Sequence, residues 1–217
     1  MKKIKTLLAG MMVFMMVFSL PVCGSTDSDV NSGTQKTEAH IASEEKLTET
    51  STDSEPAAAH SDILVAYFSA TGTTKGVAEK IASITGGDLY EILAAEPYTE
   101  DDLNYNDSST RATKEQNDKN VRPEIGSKDI TLEGYTTIYL GFPIWWGEEP
   151  RILDTFVEKY SFEGITVIPF CTSGGSGIGR SGSNMEALAE SGTWLDGERF
   201  SGSVSEEDLK SWIDGLE

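Results

Sequence analysis

Residues 63–74 read ILVAYFSATGTT, an apolar run that passes directly into a turn rich in hydroxyl groups. The run at 63–68 is continuously apolar, which is typical of a strand buried on both faces of a parallel sheet. Apolar residues then recur at helical spacing over 77–84 and stop at Gly86 and Gly87. This succession predicts a strand, a turn and a helix at the start of an α/β domain.

The rest of the chain alternates short apolar runs with amphipathic ones. Further strands are predicted at 89–93, 137–142, 165–170 and 198–203, and further helices near 109–119, 152–160, 184–190 and 209–216. Pro150 stands where the first turn of a helix tolerates proline. The alternation predicts a doubly wound parallel sheet with helices on both faces. Ligands bind such sheets outside the carboxyl ends of the strands, so the loops after the first, third and fourth strands are candidate sites.

The composition limits the kinds of partner. The chain of 217 residues has 17 Lys and Arg against 36 Asp and Glu, a formal net charge of −19. A nucleic-acid binder that neutralises phosphates needs clustered basic side chains, so that class is excluded. Residues 61–217 carry 12 basic and 28 acidic side chains, hence a charge of −16, and can form a core without disulfides or metals. His40 and His60 precede this domain, and no metal site is expected.

The N-terminal part is predicted to be a secretion signal followed by a tether. Three Lys precede an apolar run at 7–20 that is too short to span a bilayer as a helix, so residues 1–22 indicate a signal rather than a transmembrane anchor. Residues 20–24 resemble the lipobox of bacterial lipoproteins, which implies lipid attachment at Cys23; cleavage nearby with an unmodified Cys23 is the alternative. Residues 23–60 are polar and acidic, as in a disordered tether. The C-terminal domain is expected to be secreted or held at the outer face of the bacterial membrane.

The turn after the first strand has the groups that a phosphate needs. Ser69, Thr71, Thr73 and Thr74 supply four hydroxyls beside Gly72, at the start of the predicted helix. Backbone N–H groups at a helix N-terminus favour a bound phosphate when hydroxyl donors accompany them. One hydroxyl suffices to cap a helix, so four favour phosphate binding over a simple N-cap. The Gly-Lys-Ser/Thr ending of a P-loop is absent.

The loop after the third strand brings two Trp residues together. Residues 143–147 read PIWWG, with Trp145 and Trp146 side by side. Two adjacent loop side chains cannot both enter one core face, so at least one indole is expected to line a surface or a cleft. A planar aromatic ligand accounts for the pair, and two Trp side chains that merely pack the loop are the alternative.

The loop after the fourth strand, residues 171–180, is rich in glycine. Glycine leaves backbone N–H groups open to a ligand that approaches closely. Residues 177–182 match the pattern Gly-x-Gly-x-x-Gly, but too few residues follow them for a dinucleotide-binding half. Cys171 is not expected to be a nucleophile, because a phosphatase-type loop needs Arg six positions after the Cys, where Gly177 stands.

These three loops, in this order on this strand pattern, resemble those of the flavodoxin family over nearly all of residues 61–217. The resemblance implies an open five-stranded parallel sheet of order 2-1-3-4-5 with FMN at its switch point. By position, it implies that the FMN phosphate is held by Ser69, Thr71, Gly72, Thr73 and Thr74. It also implies that the isoalloxazine is bordered by Pro143, Ile144, Trp145, Trp146 and Gly147, and its pyrimidine side by Thr172, Ser173, Gly174, Gly175, Ser176 and Gly177.

Three functions follow from this resemblance. The first is electron transfer through bound FMN without a catalytic side chain, in which the acidic domain docks on a basic patch of a redox partner. The second is an FMN-dependent NAD(P)H oxidoreductase for quinones or other small acceptors, in which Arg111 or Arg122 offers a charge to the nicotinamide nucleotide. The third is a flavin-binding lipoprotein without turnover. The long polar segment 96–129 caps the flavin, admits a substrate, or is a solvated insertion.

Overall fold

The structure is a computed structural model, and it describes residues 61–216. The predicted signal at 1–22, the lipid attachment at Cys23 and the predicted tether at 23–60 lie outside the described residues and stay predictions. Within the described part of the chain, no helix is both long enough and apolar enough to cross a bilayer.

Strands and helices alternate along the described residues, as the sequence predicts. The strands are β1 (Ile63–Tyr67), β2 (Asp88–Glu91), β3 (Thr137–Pro143), β4 (Thr166–Thr172), β5 (Thr193–Trp194) and β6 (Glu198–Phe200). The helices are α1 (Thr73–Thr85), α2 (Arg111–Asn117), α3 (Arg151–Lys159), α4 (Ser181–Ala189) and α5 (Glu206–Asp214). A 3₁₀ turn, Asp101–Leu103, lies between β2 and α2.

The strands form one parallel sheet of order β2-β1-β3-β4-β5, which confirms the predicted doubly wound architecture. A single strand near 198–203 was predicted at the fifth position of the sheet, but two short strands occupy that position. β5 pairs with Thr166 and Val167 at the start of β4, and β6 pairs with residues 170–172 at its end. The sheet therefore has five positions and six strands among the described residues.

Pro169 in the middle of β4 explains why the fifth position is interrupted. The Val167 carbonyl accepts a hydrogen bond from the Leu195 N–H, so the backbone N and O atoms of Val167 face the fifth position of the sheet. Residues two apart in a strand face the same neighbour, so the Pro169 nitrogen faces the fifth position as well. Proline has no N–H to donate, and regular pairing stops beside it. Gly197 lies in the gap, where a Cβ would come within 2.6 Å of the Pro169 carbonyl oxygen.

Each face of the sheet has its own hydrophobic core, because successive strand residues point to opposite faces. On one face Leu64 of β1 belongs to a core that includes Ile152 of α3 and Met185 of α4. The next residue of β1 belongs to the core of the other face, with Val77 of α1 and Leu209 of α5. Helices on both faces were predicted, and this arrangement confirms them.

Several element boundaries differ from the prediction by one to three residues, and two of the differences have a local reason. β2 ends at Glu91 rather than at residue 93, because the Leu93 N–H donates to Ser127 Oγ at 2.6 Å instead of to a strand. Pro150 is the N-cap residue immediately before α3 rather than part of its first turn. Gly86, at φ 70°, ends α1 where the sequence predicts the end.

Candidate functional site

A cavity of about 420 Å³ lies where the loops after β1, β3 and β4 meet, at the carboxyl ends of these strands. The predicted site residues that line it are Ser69, Thr71, Thr73, Thr74, Pro143, Ile144, Trp145, Thr172, Ser173 and Gly174. Those that do not line it are Gly72, Trp146, Gly147, Gly175, Ser176 and Gly177. The lining residues that the sequence analysis missed are Ala70, Leu103, Tyr105, Arg199, Ser201 and Gly202.

The turn after β1 leaves hydrogen-bond donors available to a ligand. Gly72 is the N-cap residue of α1 at φ 84°, and no side chain caps this helix end. The first N–H groups of α1 therefore lack a side-chain partner. Ser69 Oγ is buried and has no hydrogen-bond partner among the described residues. Thr71 and Thr73 are exposed, with their Oγ1 atoms 3.4 Å apart.

A buried hydrogen bond ties this turn to the loop after β4. Thr74 Oγ1 and Thr172 Oγ1 are 2.8 Å apart, and the two side chains are only 1% and 3% exposed. A hydroxyl can donate one hydrogen bond while it accepts another. The pair can therefore still donate one hydrogen bond toward the cavity.

The two adjacent Trp side chains have opposite surroundings. Trp145 is 3% exposed, and its ring centroid lies 5.5 Å from that of Phe68 and 5.1 Å from that of Tyr98, edge to face in both cases. Trp146 is 40% exposed and its ring lies 4.6 Å from that of Tyr105. The prediction was that at least one indole lines a surface or a cleft. Trp145 lines the cavity, and Trp146 lies outside its lining on the surface.

A tight turn separates the two indoles. Trp145 and Glu148 exchange two backbone hydrogen bonds, of 2.9 and 3.1 Å. Between them Trp146 and Gly147 have φ values of 50° and 85°, the pattern of a type I′ turn. A bulky residue rarely adopts a positive φ, so Trp146 is held in a strained backbone conformation. The turn thus places the Trp145 ring in the cavity wall and leaves the Trp146 ring on the surface.

A buried polar cluster supports this turn from behind. Gln116 of α2 donates through Nε2 to the carbonyls of Trp145 and Glu149, both at 3.1 Å. Arg151, at the start of α3, donates through Nη2 to the Glu148 carboxylate at 2.6 Å. Burial raises the pKa of Glu149, whereas the hydrogen bond from Arg151 lowers the pKa of Glu148. α2 thus holds the backbone of the turn through Gln116, and α3 holds the Glu148 side chain through Arg151.

The loop after β4 and strand β6 together form another side of the cavity, and Arg199 of β6 links them. Arg199 donates through Nη2 to the Ser173 carbonyl at 2.7 Å and through Nε to Ser173 Oγ at 3.2 Å. Among the described residues that line the cavity, Arg199 alone is charged. Cys171 is fully buried, and burial raises the pKa of its thiol to about 12, so the thiol stays protonated at neutral pH.

Segment 96–129 contributes to the mouth of the cavity. Leu103 and Tyr105, at and after the 3₁₀ turn, both line it. The segment is therefore more than a solvated insertion, which was one of the interpretations of the sequence. An aromatic residue inside a polar, acidic stretch is the signal that identifies Tyr105 in retrospect.

Arg111 and Arg122, the two candidates for binding a nicotinamide nucleotide, form ion pairs with glutamates. Arg111 pairs with Glu115 at 2.7 Å, and Arg122 pairs with Glu158 at 2.7 Å. Neither Arg111 nor Arg122 lines the cavity.

Residues 62–216 match the model of a protein family described as Flavodoxin. The chain belongs to the flavodoxin family. This confirms the resemblance drawn from the three loops, and it agrees with the sheet order of this flavodoxin. No curated protein matches the chain.

Solved structures similar to this flavodoxin include proteins described as flavoproteins. One from Bacteroides eggerthii is 44% identical with a TM-score of 0.67, and the match covers 71% of this chain and 96% of the other. One from Bacteroides uniformis is 42% identical with a TM-score of 0.68, covering 71% and 99%. One from Lactobacillus acidophilus, solved in complex with FMN, is 26% identical with a TM-score of 0.54, covering 70% and 97%. The family and this last relative support the prediction of FMN as the cofactor.

Proposed function

We propose that this flavodoxin binds FMN in the cavity and transfers electrons through it at the outer face of a bacterial membrane. The observation that carries the proposal is one cavity in which an uncapped helix N-terminus and a buried, unpartnered hydroxyl face the same space as a buried Trp. FMN supplies one- and two-electron chemistry when bound, and the protein binds, orients and shields it.

The hydroxyl-rich turn suits the phosphate of FMN. The N–H groups of α1 and the hydroxyls of Ser69, Thr71 and Thr73 are donors, and the helix dipole favours a negative charge at this end. No carboxylate lines the cavity within the described residues, so none there repels the phosphate. Ser69 Oγ would gain the acceptor that it lacks, which removes the cost of a buried polar atom without a partner.

The wall after β3 suits the flavin ring. Pro143, Ile144 and Trp145 form one side of the cavity, and Leu103 and Tyr105 lie at its mouth. Apolar and aromatic side chains bind a planar ring by burying it and stacking on it. The loop after β4 is assigned to the polar pyrimidine side, where backbone groups can form hydrogen bonds with the ring edge.

The mouth of the cavity suits a basic redox partner. Four carboxylates lie close in sequence to Leu103 and Tyr105, which line the cavity at its mouth. We name these four residues the acidic rim: Glu100, Asp101, Asp102 and Asp107. Hydrogen bonds from Thr99 lower the pKa of Asp102, and those from Ser109 lower the pKa of Asp107, so both stay ionised at neutral pH. An acidic surface on a domain of charge −16 attracts a basic partner over a distance and orients it.

The location rests on the N-terminal sequence. Residues 1–22 have the order of a secretion signal, and Cys23 would carry the lipid that holds the domain at the membrane through the tether at 23–60. The Cys23→Ala variant is expected to move the protein from the membrane fraction to the soluble extracellular fraction. Retention of that variant in the membrane would contradict lipid attachment.

The proposal is tested by an absorption spectrum of the purified protein after incubation with FMN and desalting. A retained band at about 450 nm, where oxidised flavin absorbs, is expected. Loss of all flavin on desalting would contradict FMN binding.

The same sample then separates the possible functions. NADPH is added without oxygen, followed by dithionite and then by a basic c-type cytochrome as electron acceptor. We expect that only dithionite bleaches the band and that the cytochrome restores it, which is the behaviour of an electron carrier. Bleaching by NADPH alone would instead indicate an oxidoreductase, and a reduced flavin that the cytochrome cannot oxidise would indicate a binding protein without turnover.

A further inference from the structure

Four arginines of the described residues are at least partly buried, and Arg199 is the one among them without a carboxylate partner. Arg111, Arg122 and Arg151 each contact a carboxylate oxygen at 2.6–2.7 Å. Arg199 is half-buried, and no carboxylate of the described residues forms an ion pair with its guanidinium. The neighbouring Glu198 accepts a hydrogen bond from the Arg199 backbone N–H at 2.8 Å, not from the guanidinium.

The partners of the Arg199 guanidinium are neutral and leave donors unused. Nη2 and Nε both bind to Ser173, through its carbonyl at 2.7 Å and its hydroxyl at 3.2 Å. Nη1 makes no hydrogen bond within the described part of the chain. A guanidinium has five N–H donors and cannot lose its charge at neutral pH. Arg199 therefore brings a fixed positive charge with free donors to the cavity wall.

The fold places this charge beside the loop assigned to the pyrimidine side of the flavin. β6 pairs with β4 so that Arg199 lies opposite Cys171, at the carboxyl end of the sheet. The guanidinium then reaches Ser173 in the loop that follows. In a domain of charge −16, a cation without a counter-ion at a ligand cavity points to negative charge on the ligand.

We propose that Arg199 stabilises the reduced form of bound FMN at the pyrimidine side of the site and so raises the reduction potential of the flavin. This inference rests on the proposed function. Uptake of two electrons and one proton leaves FMN with one additional negative charge, and a nearby cation favours that form over the oxidised one. Arg199 thus acts on the cofactor electrostatically, and no covalent bond to it forms or breaks.

The test compares the affinities of reduced and oxidised FMN in matched variants. The Arg199→Gln variant removes the charge and keeps a side chain that can still donate to Ser173. The Arg180→Gln variant makes the same change of net charge at an exposed arginine outside the cavity lining. The Kd for each redox state is measured by anaerobic titration, which gives the change in potential through the ratio of the two.

We expect the Arg199→Gln variant to lose at least about tenfold in affinity for reduced FMN relative to oxidised FMN, the size of one charge-assisted hydrogen bond. The Arg180→Gln variant keeps the ratio of the wild type. An equal loss for both redox states would show that Arg199 holds the loop or the phosphate, and would overturn the inference. An unchanged ratio, or an equal change in both variants, would overturn it too.

Failure of this inference can be told apart from failure of the proposed function. If the wild type retains no FMN, the proposed function is wrong and this inference falls with it. If wild type and Arg199→Gln both retain FMN with the same ratio, only this inference is wrong.

A second variant keeps the inference testable if the Arg199→Gln protein does not fold. Histidine at position 199 is charged at about pH 5 and neutral at about pH 8. In the Arg199→His variant, the preference for reduced FMN is expected to approach that of the wild type at the lower pH and to fall below it at the higher pH. The same pH dependence in both proteins would overturn the inference.

Discussion

Ser69 Oγ is buried at the candidate phosphate end of the cavity and has no hydrogen-bond partner among the described residues. A hydrogen bond from this hydroxyl to a charged phosphate would contribute about 1.5–3 kcal/mol. The Ser69→Ala variant is therefore expected to bind FMN at least about tenfold more weakly than the wild type, measured by fluorescence titration. Riboflavin lacks the phosphate, so its affinity should not change.

The control for Ser69→Ala is Ser108→Ala, a change of the same size at an exposed serine outside the cavity lining. It is expected to leave both affinities unchanged. If the Ser69→Ala variant bound riboflavin as weakly as it binds FMN, Ser69 would serve the packing of the turn and not the phosphate.

Folding shifts the pKa values of the adjacent residues Glu148 and Glu149 in opposite directions. Their contributions to stability therefore depend on pH with opposite sign. Burial raises the pKa of Glu149, so the folded protein holds this proton more tightly than the unfolded chain does. As the pH rises above the unfolded value of about 4.3, ionisation of Glu149 costs stability. The free energy of unfolding of the wild type should therefore fall relative to that of the Glu149→Gln variant as the pH rises above about 4.3.

Glu148 is the matched control for this experiment. The hydrogen bond from Arg151 lowers the pKa of Glu148, so its stabilising contribution is complete above about pH 4.3 and is lost as the pH falls below that value. Relative to the Glu148→Gln variant, the wild type should gain stability as the pH rises. Urea unfolding at a series of pH values measures both differences, and differences of the same sign would contradict this account of the cluster.

At the scale of elements, α2 holds the turn that carries the two Trp residues. Gln116 donates to the carbonyl of Trp145, the first residue of this turn, and to that of Glu149, the residue that follows it. In the Gln116→Leu variant the Glu149 carbonyl loses this donor, but leucine also removes the buried, unpartnered Oε1 of Gln116. We expect a loss of about 1 kcal/mol in the free energy of unfolding and a weaker affinity for FMN.

The control on the same helix is Lys114→Ala, an exposed position outside the cavity lining, with no effect expected on the affinity for FMN. If Gln116→Leu lowered the stability and left the affinity for FMN unchanged, the turn would not depend on α2 for its geometry.

At the scale of the whole molecule, the acidic rim predicts how electron transfer depends on salt. The reduced protein should reduce a basic c-type cytochrome with a rate constant that falls as ionic strength rises, because salt screens the attraction within about 10 Å at 0.1 M. Replacing Glu100 by Gln and Asp101 by Asn should lower the rate constant several-fold at low salt and leave it nearly unchanged at high salt.

The matched double variant replaces Glu133 and Glu163 by Gln, two exposed residues shortly before β3 and β4, at the opposite end of the sheet from the cavity. It changes the net charge by the same amount, so it should lower the rate constant much less. Equal effects of the two double variants would mean that net charge alone governs association and that the acidic rim is not the docking surface.

The sheet and the three loops were predictable from the sequence because each depends on short-range signals. Continuous apolar runs predicted β1, β3 and β4, and parallel strands necessarily bring their carboxyl-end loops to one edge. The break in the fifth position also has a sequence signal, Pro169. Its effect depends on which neighbour the missing N–H would have faced, and only the register of β4 decides that.

Charge, the N-terminal signal pattern and the three loops were thus determined by the sequence itself, and the strand order followed from the resemblance to flavodoxins that the loops carry. The tertiary structure alone decided that Tyr105 and Arg199 share a cavity with Trp145, because these residues are far apart in the chain and the folding of the sheet brings them together. It also decided which of the two Trp residues is buried, because two positive φ values in one turn send adjacent side chains in different directions. Sequence patterns report the local environment of a residue, and contacts between distant segments depend on the packing of the whole domain.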